Sequence, residues 1–267
     1  MIFMRLLLTL QPGHIPCLIP FDYPHALTAV IYRFLDHASH DYARFLHDEG
    51  YRSGAKRFKL FTFSQLLIPT RRITPEGILC HSTQITWQIS SPITEFVEHL
   101  ATGLLQLGQM RFGANTFTLA RVEVAPTPTF TDRERLRCLS PIVVSAAQER
   151  AGKLQARYLR ADDPQLSEAL RQNLLRKFLV VHGRAPQSDV LSVEFDRAYL
   201  RRKGEEVYRL VSYKGTQIKA IMAPFTVRGS PELIEIGYEA GFGEKNSMGF
   251  GMVEVVGDGA PEKSGIS

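Results

Sequence analysis

Apolar residues run nearly unbroken over 2–10 and stop at Pro12-Gly13, which predicts a buried strand ended by turn-forming residues. The spacing then changes to that of a helix. Leu27, Val30, Ile31 and Phe34 recur at three- and four-residue intervals, so 24–35 reads as an amphipathic helix with proline in its first turn. A second short helix is predicted over 41–49, ending at Gly50. The apolar stretches 58–68 and 78–89 flank Thr74-Pro75-Glu76-Gly77 and read as a β-hairpin. Helical spacing returns over 93–107 through Phe96, Val97, Leu100 and Leu104, and a strand over 116–124 follows. This succession is β-α-β-β-α-β, the ferredoxin-like plan.

The stretch Ala125-Pro-Thr-Pro-Thr129 carries two prolines and no large apolar residue, so neither helix nor strand should cross it. It divides the chain into an N-terminal domain over 1–125, a linker over 126–130 and a C-terminal domain over 131–257. Beyond the linker the pattern predicts a strand over 136–145, a helix over 164–181, β segments over 190–200 and 207–224, and a closing strand over 252–256. A second helix for this half is poorly marked, and no repeat is visible residue by residue. Element order alone therefore suggests an α+β protein with two tandem ferredoxin-like domains. The polar, glycine-containing 258–267 reads as a flexible tail.

Composition narrows the function classes only a little. With 44% hydrophobic and 22% charged residues the chain is globular rather than disordered. Lys+Arg 32 against Asp+Glu 27 gives a formal charge of +5, which is basic without being extreme. The clustering matters more: Arg52, Lys56, Arg57, Lys59, Arg71 and Arg72 occur with no acid between them. Such a run can face phosphates, or can serve as a solvated edge that discourages strand pairing. Cys17, Cys80 and Cys138 are too few and too scattered for a disulfide framework or a closed zinc site, and a reducing compartment fits them. No stretch approaches the roughly 20 apolar residues of a membrane helix, and the start lacks a cleavage-site pattern, so a cytoplasmic location is expected.

The most specific segment is Gly241-Phe-Gly-Glu-Lys-Asn-Ser-Met-Gly-Phe-Gly251, two GFG triplets around a polar centre. It lacks the G-x-G-x-x-G spacing of a dinucleotide site and the Gly-Lys-Ser/Thr of a P-loop. Glycine permits positive φ and close approach, so the loop can offer backbone amides to an anion; the alternative is a tight connection between closing strands. Gly237 to Val255, which includes this loop, resembles the C-terminal signature of the CRISPR-associated repeat-processing endoribonucleases. Lys59-Leu-Phe-Thr-Phe-Ser64 and Leu139-Ser-Pro-Ile142 match the same family in order and spacing, so the resemblance spans nearly the whole chain. It implies two ferredoxin-like, RNA-recognition-motif-like domains. It further implies metal-independent cleavage of precursor CRISPR RNA at the repeat, with no cofactor. The expected partners are the repeat RNA and an interference complex that receives the guide, with a homodimer left open.

Cutting RNA without a metal requires an aligned 2′-hydroxyl, a stabilised phosphoryl charge and a proton for the leaving 5′-oxygen. His47 matches the family histidine, and an imidazole with a pKa of about 6.5 can supply that proton; taken alone it would be an ordinary helix-end residue. By the same resemblance Tyr32 stands at the 2′-hydroxyl, where a phenol aligns better than it deprotonates, and Lys59 stands near the scissile phosphate. Their alternatives are a half-buried core tyrosine and an edge-strand lysine. Lys56 and Arg57 can replace Lys59, and His37 and His40 are reserve acids. In the glycine-rich loop, Gly241, Gly243, Gly249 and Gly251 with Lys245, Asn246 and Ser247 are expected to contact RNA. A repeat-binding protein without cleavage would share these features, and a small-molecule enzyme on the same scaffold lacks a supporting motif.

Overall fold

The computed structural model describes residues 4–150, 152–213 and 216–257. Residues 2–3 of the predicted first strand and the predicted tail 258–267 lie outside them. The strand Met4–Pro12 is central in a five-stranded antiparallel sheet, between Ile85–Ser91 and Asn115–Ala125, with Thr62–Phe63 and Gln109–Phe112 at the edges. Its alternate residues Leu6, Leu8 and Leu10 are buried, as the pleat requires when one face meets a core. Helices α1 (Tyr23–Ala38) and α3 (Thr94–Leu107) contribute Leu27, Ile31, Phe34, Phe96 and Leu100 to that core. Between α1 and α3 the short helix α2 (His40–Asp48) follows α1 after Ser39, whose hydroxyl accepts from Tyr42 N at its start.

The second half repeats the plan. Its sheet runs Leu191–Phe195, Phe225–Gly229, Arg133–Cys138, Val253–Val255, which in chain order is second, third, first, fourth. The first sheet has the same order through Thr62–Phe63, Ile85–Ser91, Met4–Pro12 and Asn115–Ala125. Helix α4 (Leu166–His182) follows the unit's first strand, the short α5 (Arg197–Lys203) follows its second, and α6 (Pro231–Ala240) precedes its fourth. The chain is thus two tandem ferredoxin-like units with a glycine-rich loop after the last helix.

Several predicted strands are broken. The segments 58–68 and 78–89 do pair, through Phe63 with Ile89 and Leu67 with Thr86, but the turn at 74–77 joins Arg71–Thr74 to Gly77–Cys80 in a separate three-stranded sheet with Cys17–Ile19. The run over 58–68 does not make one strand because it serves two cores: Leu60, at φ 53, enters the second, whereas Phe61 and Phe63 enter the first. Strand 136–145 ends at Cys138, and Ser145–Arg150 pairs with Lys153–Tyr158 in a hairpin that periodicity missed. Strand 190–200 stops at Phe195 because Asp196 caps α5, accepting from Tyr199 N at 2.9 Å. Segment 207–224 is the hairpin Tyr208–Tyr213 with Thr216–Ile221, and the sheet's third strand is Phe225–Gly229. The unmarked helix, α6, begins at Ser230-Pro231-Glu232, where the Ser230 hydroxyl accepts from Leu233 N. That cap, proline and acid sequence was a usable signal.

The units meet along an extensive seam. Arg5, only 5% exposed, donates from Nη1 to Val253 O (2.8 Å) and from Nη2 to Tyr238 O (2.9 Å), with its guanidinium 3.7 Å from the Tyr238 ring centroid. Thr62 Oγ1 donates to Phe250 O at 2.9 Å, and Gln65 N to Leu139 O at 2.9 Å. Among the described residues no helix is long and apolar enough to cross a membrane.

Candidate RNA-processing site

The glycine-rich loop sits on this seam, and its glycines are dictated by protein contacts. Gly241, Gly243, Gly249 and Gly251 have φ of 85°, 77°, 86° and 82°. A Cβ on Gly243 would lie 2.2 Å from Val143 O, and one on Gly249 would lie 2.7 Å from the Phe63 ring. Neither position tolerates a side chain without moving backbone or a core aromatic. All four are buried and shape the loop from inside, and Gly243 also lines the cleft beside the loop. Phe242 N donates to Gly251 O, Glu244 N to Val143 O and Gly251 N to Pro141 O, each at 2.8 Å, so these amides are already engaged.

Asn246 is likewise turned inward. Its Nδ2 donates to Phe250 O (3.0 Å) and Phe242 O (3.3 Å), and its Oδ1 accepts from Lys177 Nζ (2.8 Å). Lys177 also donates to Gly241 O (2.6 Å) and Gly243 O (2.9 Å), and is 1% exposed. Burial pushes its pKa down to about 7, while three acceptors and nearby Glu244 favour the ammonium. Sequence reasoning missed Lys177. The available signal was a cation in the apolar stripe Leu166, Leu170, Leu174, Phe178 of α4. What the loop offers outward is Lys245, which is exposed, and Ser247, whose carbonyl accepts from Thr28 Oγ1 of α1 at 3.1 Å.

Tyr32, one turn beyond Thr28, meets His47 edge to face, with ring centroids 5.4 Å apart and planes at 81°. His47 stands exposed in the last turn of α2, with Nδ1 2.7 Å from Asp48 Oδ1; this hydrogen bond is the main cause holding the Asp48 carboxyl below its usual range. Burial, reinforced by the Asp48 charge, pushes the Tyr32 phenol well above its ordinary value. Lys59 Nζ donates to the carbonyls of Leu46 and His47, so it caps the C-terminus of α2. Desolvation lowers its pKa, as does the Arg57 charge, against Asp48. A Cβ on Gly50, whose φ is 62°, would lie 2.7 Å from Phe58 O and 3.3 Å from Lys59 Cδ, so only glycine fits beside this contact. The fold therefore brings Tyr32, His47 and Lys59 together. His40 is the first residue of α2 and pairs with Asp36 at 2.7 Å; at 1.5 Å per residue it starts roughly 10 Å from His47, and His37 precedes it.

A cleft of ≈ 940 Å³ runs between Lys59 and the glycine-rich loop. Lys56, Arg57 and Lys59 line it from the first unit, Lys245 and Ser247 from the loop, and Arg176 from α4. Glu168 and Glu244 also line it, but Glu168 pairs with Arg171 at 2.8 Å and Glu244 accepts from Ser145 Oγ at 3.0 Å. The surplus of cations suits a polyanion.

Family models cover nearly all of the chain: CRISPR-associated protein Cas6, N-terminal, matches residues 18–123, and CRISPR associated protein Cas6, C-terminal, matches 125–255. A protein of Methanocaldococcus jannaschii named CRISPR-associated endoribonuclease Cas6 1 is 32% identical over 255 residues, 96% of this chain and 94% of its own. A solved structure described as CRISPR associated protein Cas6 is 32% identical with a TM-score of 0.76, covering 96% of this chain and 100% of the other. Another, of a Cas6-related gene from Pyrococcus furiosus, is 26% identical with a TM-score of 0.81 over 95% of this chain and 98% of the other.

Proposed function

The chain belongs to the CRISPR-associated Cas6 family, and from that premise we propose that it is an endoribonuclease that binds CRISPR repeat RNA and cuts the precursor into guide RNAs. The observation that carries this is that Lys59, which lines the cleft with Lys56, Arg57, Lys245 and Ser247, is also hydrogen-bonded to the His47 carbonyl, and that His47 in turn meets the Tyr32 ring.

Cleavage proceeds by attack of the 2′-hydroxyl on the adjacent phosphorus, its proton passing to solvent water as the P–O5′ bond breaks, leaving a cyclic phosphate and a free 5′-hydroxyl, without a metal. Tyr32 holds the 2′-hydroxyl in line; its raised pKa suits hydrogen bonding and not proton abstraction at neutral pH. His47 gives its proton to the leaving 5′-oxygen. Lys56 and Arg57 meet the phosphoryl oxygens, while Lys59, tied to the end of α2, holds His47 in place and adds positive charge nearby. Residues 1–125 and 131–257 act as the two RNA-embracing domains, joined at 126–130.

Denaturing gel electrophoresis of repeat RNA incubated with the protein in excess EDTA tests this directly. Cleavage at one site with cyclic phosphate ends is expected. Tight binding with intact RNA would instead identify a non-catalytic repeat-binding protein, and a strict metal requirement with pre-folded RNA would remove the metal-independent mechanism.

A further inference from the structure

The α4 wall of the cleft presents Gln172, Asn173 and Arg176, residues on one helical face that line it together with Lys56, Arg57 and Phe58. Asn173 Oδ1 is shut off from solvent and has no hydrogen-bond partner among the described residues. An acceptor left so costs free energy. The terminal torsion of asparagine is broad, so a modest turn of this amide brings it to a donor placed in the cleft. Arg176 lines the cleft, whereas Arg171, earlier on α4, is engaged by Glu168 and Asp189. Phe58, Ala146 and Ala169 supply apolar surface beside these polar groups. The volume suits a small ligand, since such sites run to roughly 300–1,000 Å³.

A carboxamide carries a donor and an acceptor side by side, as a nucleobase edge does, and single-stranded RNA is read by such edges with stacking on flat apolar surface. Resting on the proposed function, we infer that this cleft holds one unpaired nucleotide of the RNA beside the cut bond, with its base edge on Asn173 and a flanking phosphate on Arg176. Lys59 fixes the position. It lines the cleft and holds the turn that carries His47, so the nucleotide seated here neighbours the scissile phosphate. Asn173 is a specificity residue in this arrangement, and it takes no part in the bond-breaking step.

The test is a set of double-mutant cycles. Repeat RNAs with a single abasic nucleotide at each position flanking the cut are bound to the wild type, Asn173→Ala and Arg176→Ala. At one position, loss of the base weakens wild-type binding by about tenfold, the scale of one base contact. There Asn173→Ala adds no further loss, whereas at every other position the two changes add. Additivity at all positions, with an RNA that the wild type binds and cuts, would overturn the cleft assignment and leave the proposed function standing. A wild type that neither binds nor cuts repeat RNA would remove both.

Discussion

Lys177, on the buried side of α4, donates a 2.8 Å hydrogen bond to Asn246 at the tip of the glycine-rich loop. One ammonium thereby joins the first helix of the second unit to the loop that touches α1 of the first. Replacing Lys177 by methionine keeps much of its length and strands three acceptors, Gly241 O, Gly243 O and Asn246 Oδ1. Since one buried unsatisfied group costs about 1–3 kcal/mol, a loss of at least about 2 kcal/mol is expected in urea unfolding. A variant as stable as the wild type would show that the loop keeps its shape without this tie.

His47→Ala should slow single-turnover cleavage of repeat RNA by about two to four orders of magnitude, the contribution of a general acid. Because His47 is exposed and its ring meets Tyr32 only edge-on, folding and RNA affinity should change little. Wild-type cleavage by this variant would move the proton donor to another residue, with His37 and His40 tested next.

The loop separates two kinds of substitution. Gly243→Val places a side chain against Val143 O at a positive-φ backbone, so it should destabilise the protein and disturb RNA binding together. Lys245→Ala removes only an exposed charge: the melting temperature should hold, while the salt dependence of RNA affinity should lose about one phosphate contact. Equal salt slopes for Lys245→Ala and the wild type, by filter binding, would take Lys245 off the RNA.

Glu239 of α6 is 3% exposed, and neither of its carboxylate oxygens has a hydrogen-bond partner among the described residues. Burial, with the Glu235 charge adding to it and Arg5 opposing it, pushes its pKa up to about 9. The folded protein therefore holds a proton there that the unfolded chain releases above its ordinary carboxylate pKa. Stability from this group is complete at low pH and declines as pH rises from about 4.5 towards about 9. Glu239→Gln should flatten that decline and stabilise the protein at pH 8 by several kcal/mol, since one pKa unit is worth about 1.4 kcal/mol and pH 8 lies about 3.5 units above the ordinary carboxylate value of 4.5. Thermal melts of both proteins at pH 5 and pH 8 compare the slopes, and identical slopes would place the Glu239 proton outside the folding equilibrium.

The first unit was legible in the sequence because its helices and its long strands carry their own periodicity. Leu27, Val30, Ile31 and Phe34 must share a helical face, and the nearly unbroken apolar run ending at Leu10 marks a strand, of which the structure buries Leu6, Leu8 and Leu10 on one face. The glycine-rich signature and the Lys59-Leu-Phe-Thr stretch were also readable, because they are contiguous. The second unit was less so: its first and second strands are each followed by inserted hairpin or helical segments, and Phe225–Gly229 and α6 were missed.

What only the tertiary structure decided is which groups spend their hydrogen bonds on the protein. Lys177, Lys59, Asn246 and the four loop glycines belong to residue types that bind RNA when exposed. Here they meet partners on other elements: Lys59 bonds the end of α2, Lys177 reaches across 64 residues to Gly241, and Gly249 fits against Phe63. A short sequence pattern records spacing along one element, whereas burial and desolvation are sums over elements that pack from both halves of the chain. That is why the sequence determined the kind of fold and the neighbourhood of the candidate site, while the division within it, between residues that shape the loop and residues left exposed at the cleft, came from packing alone.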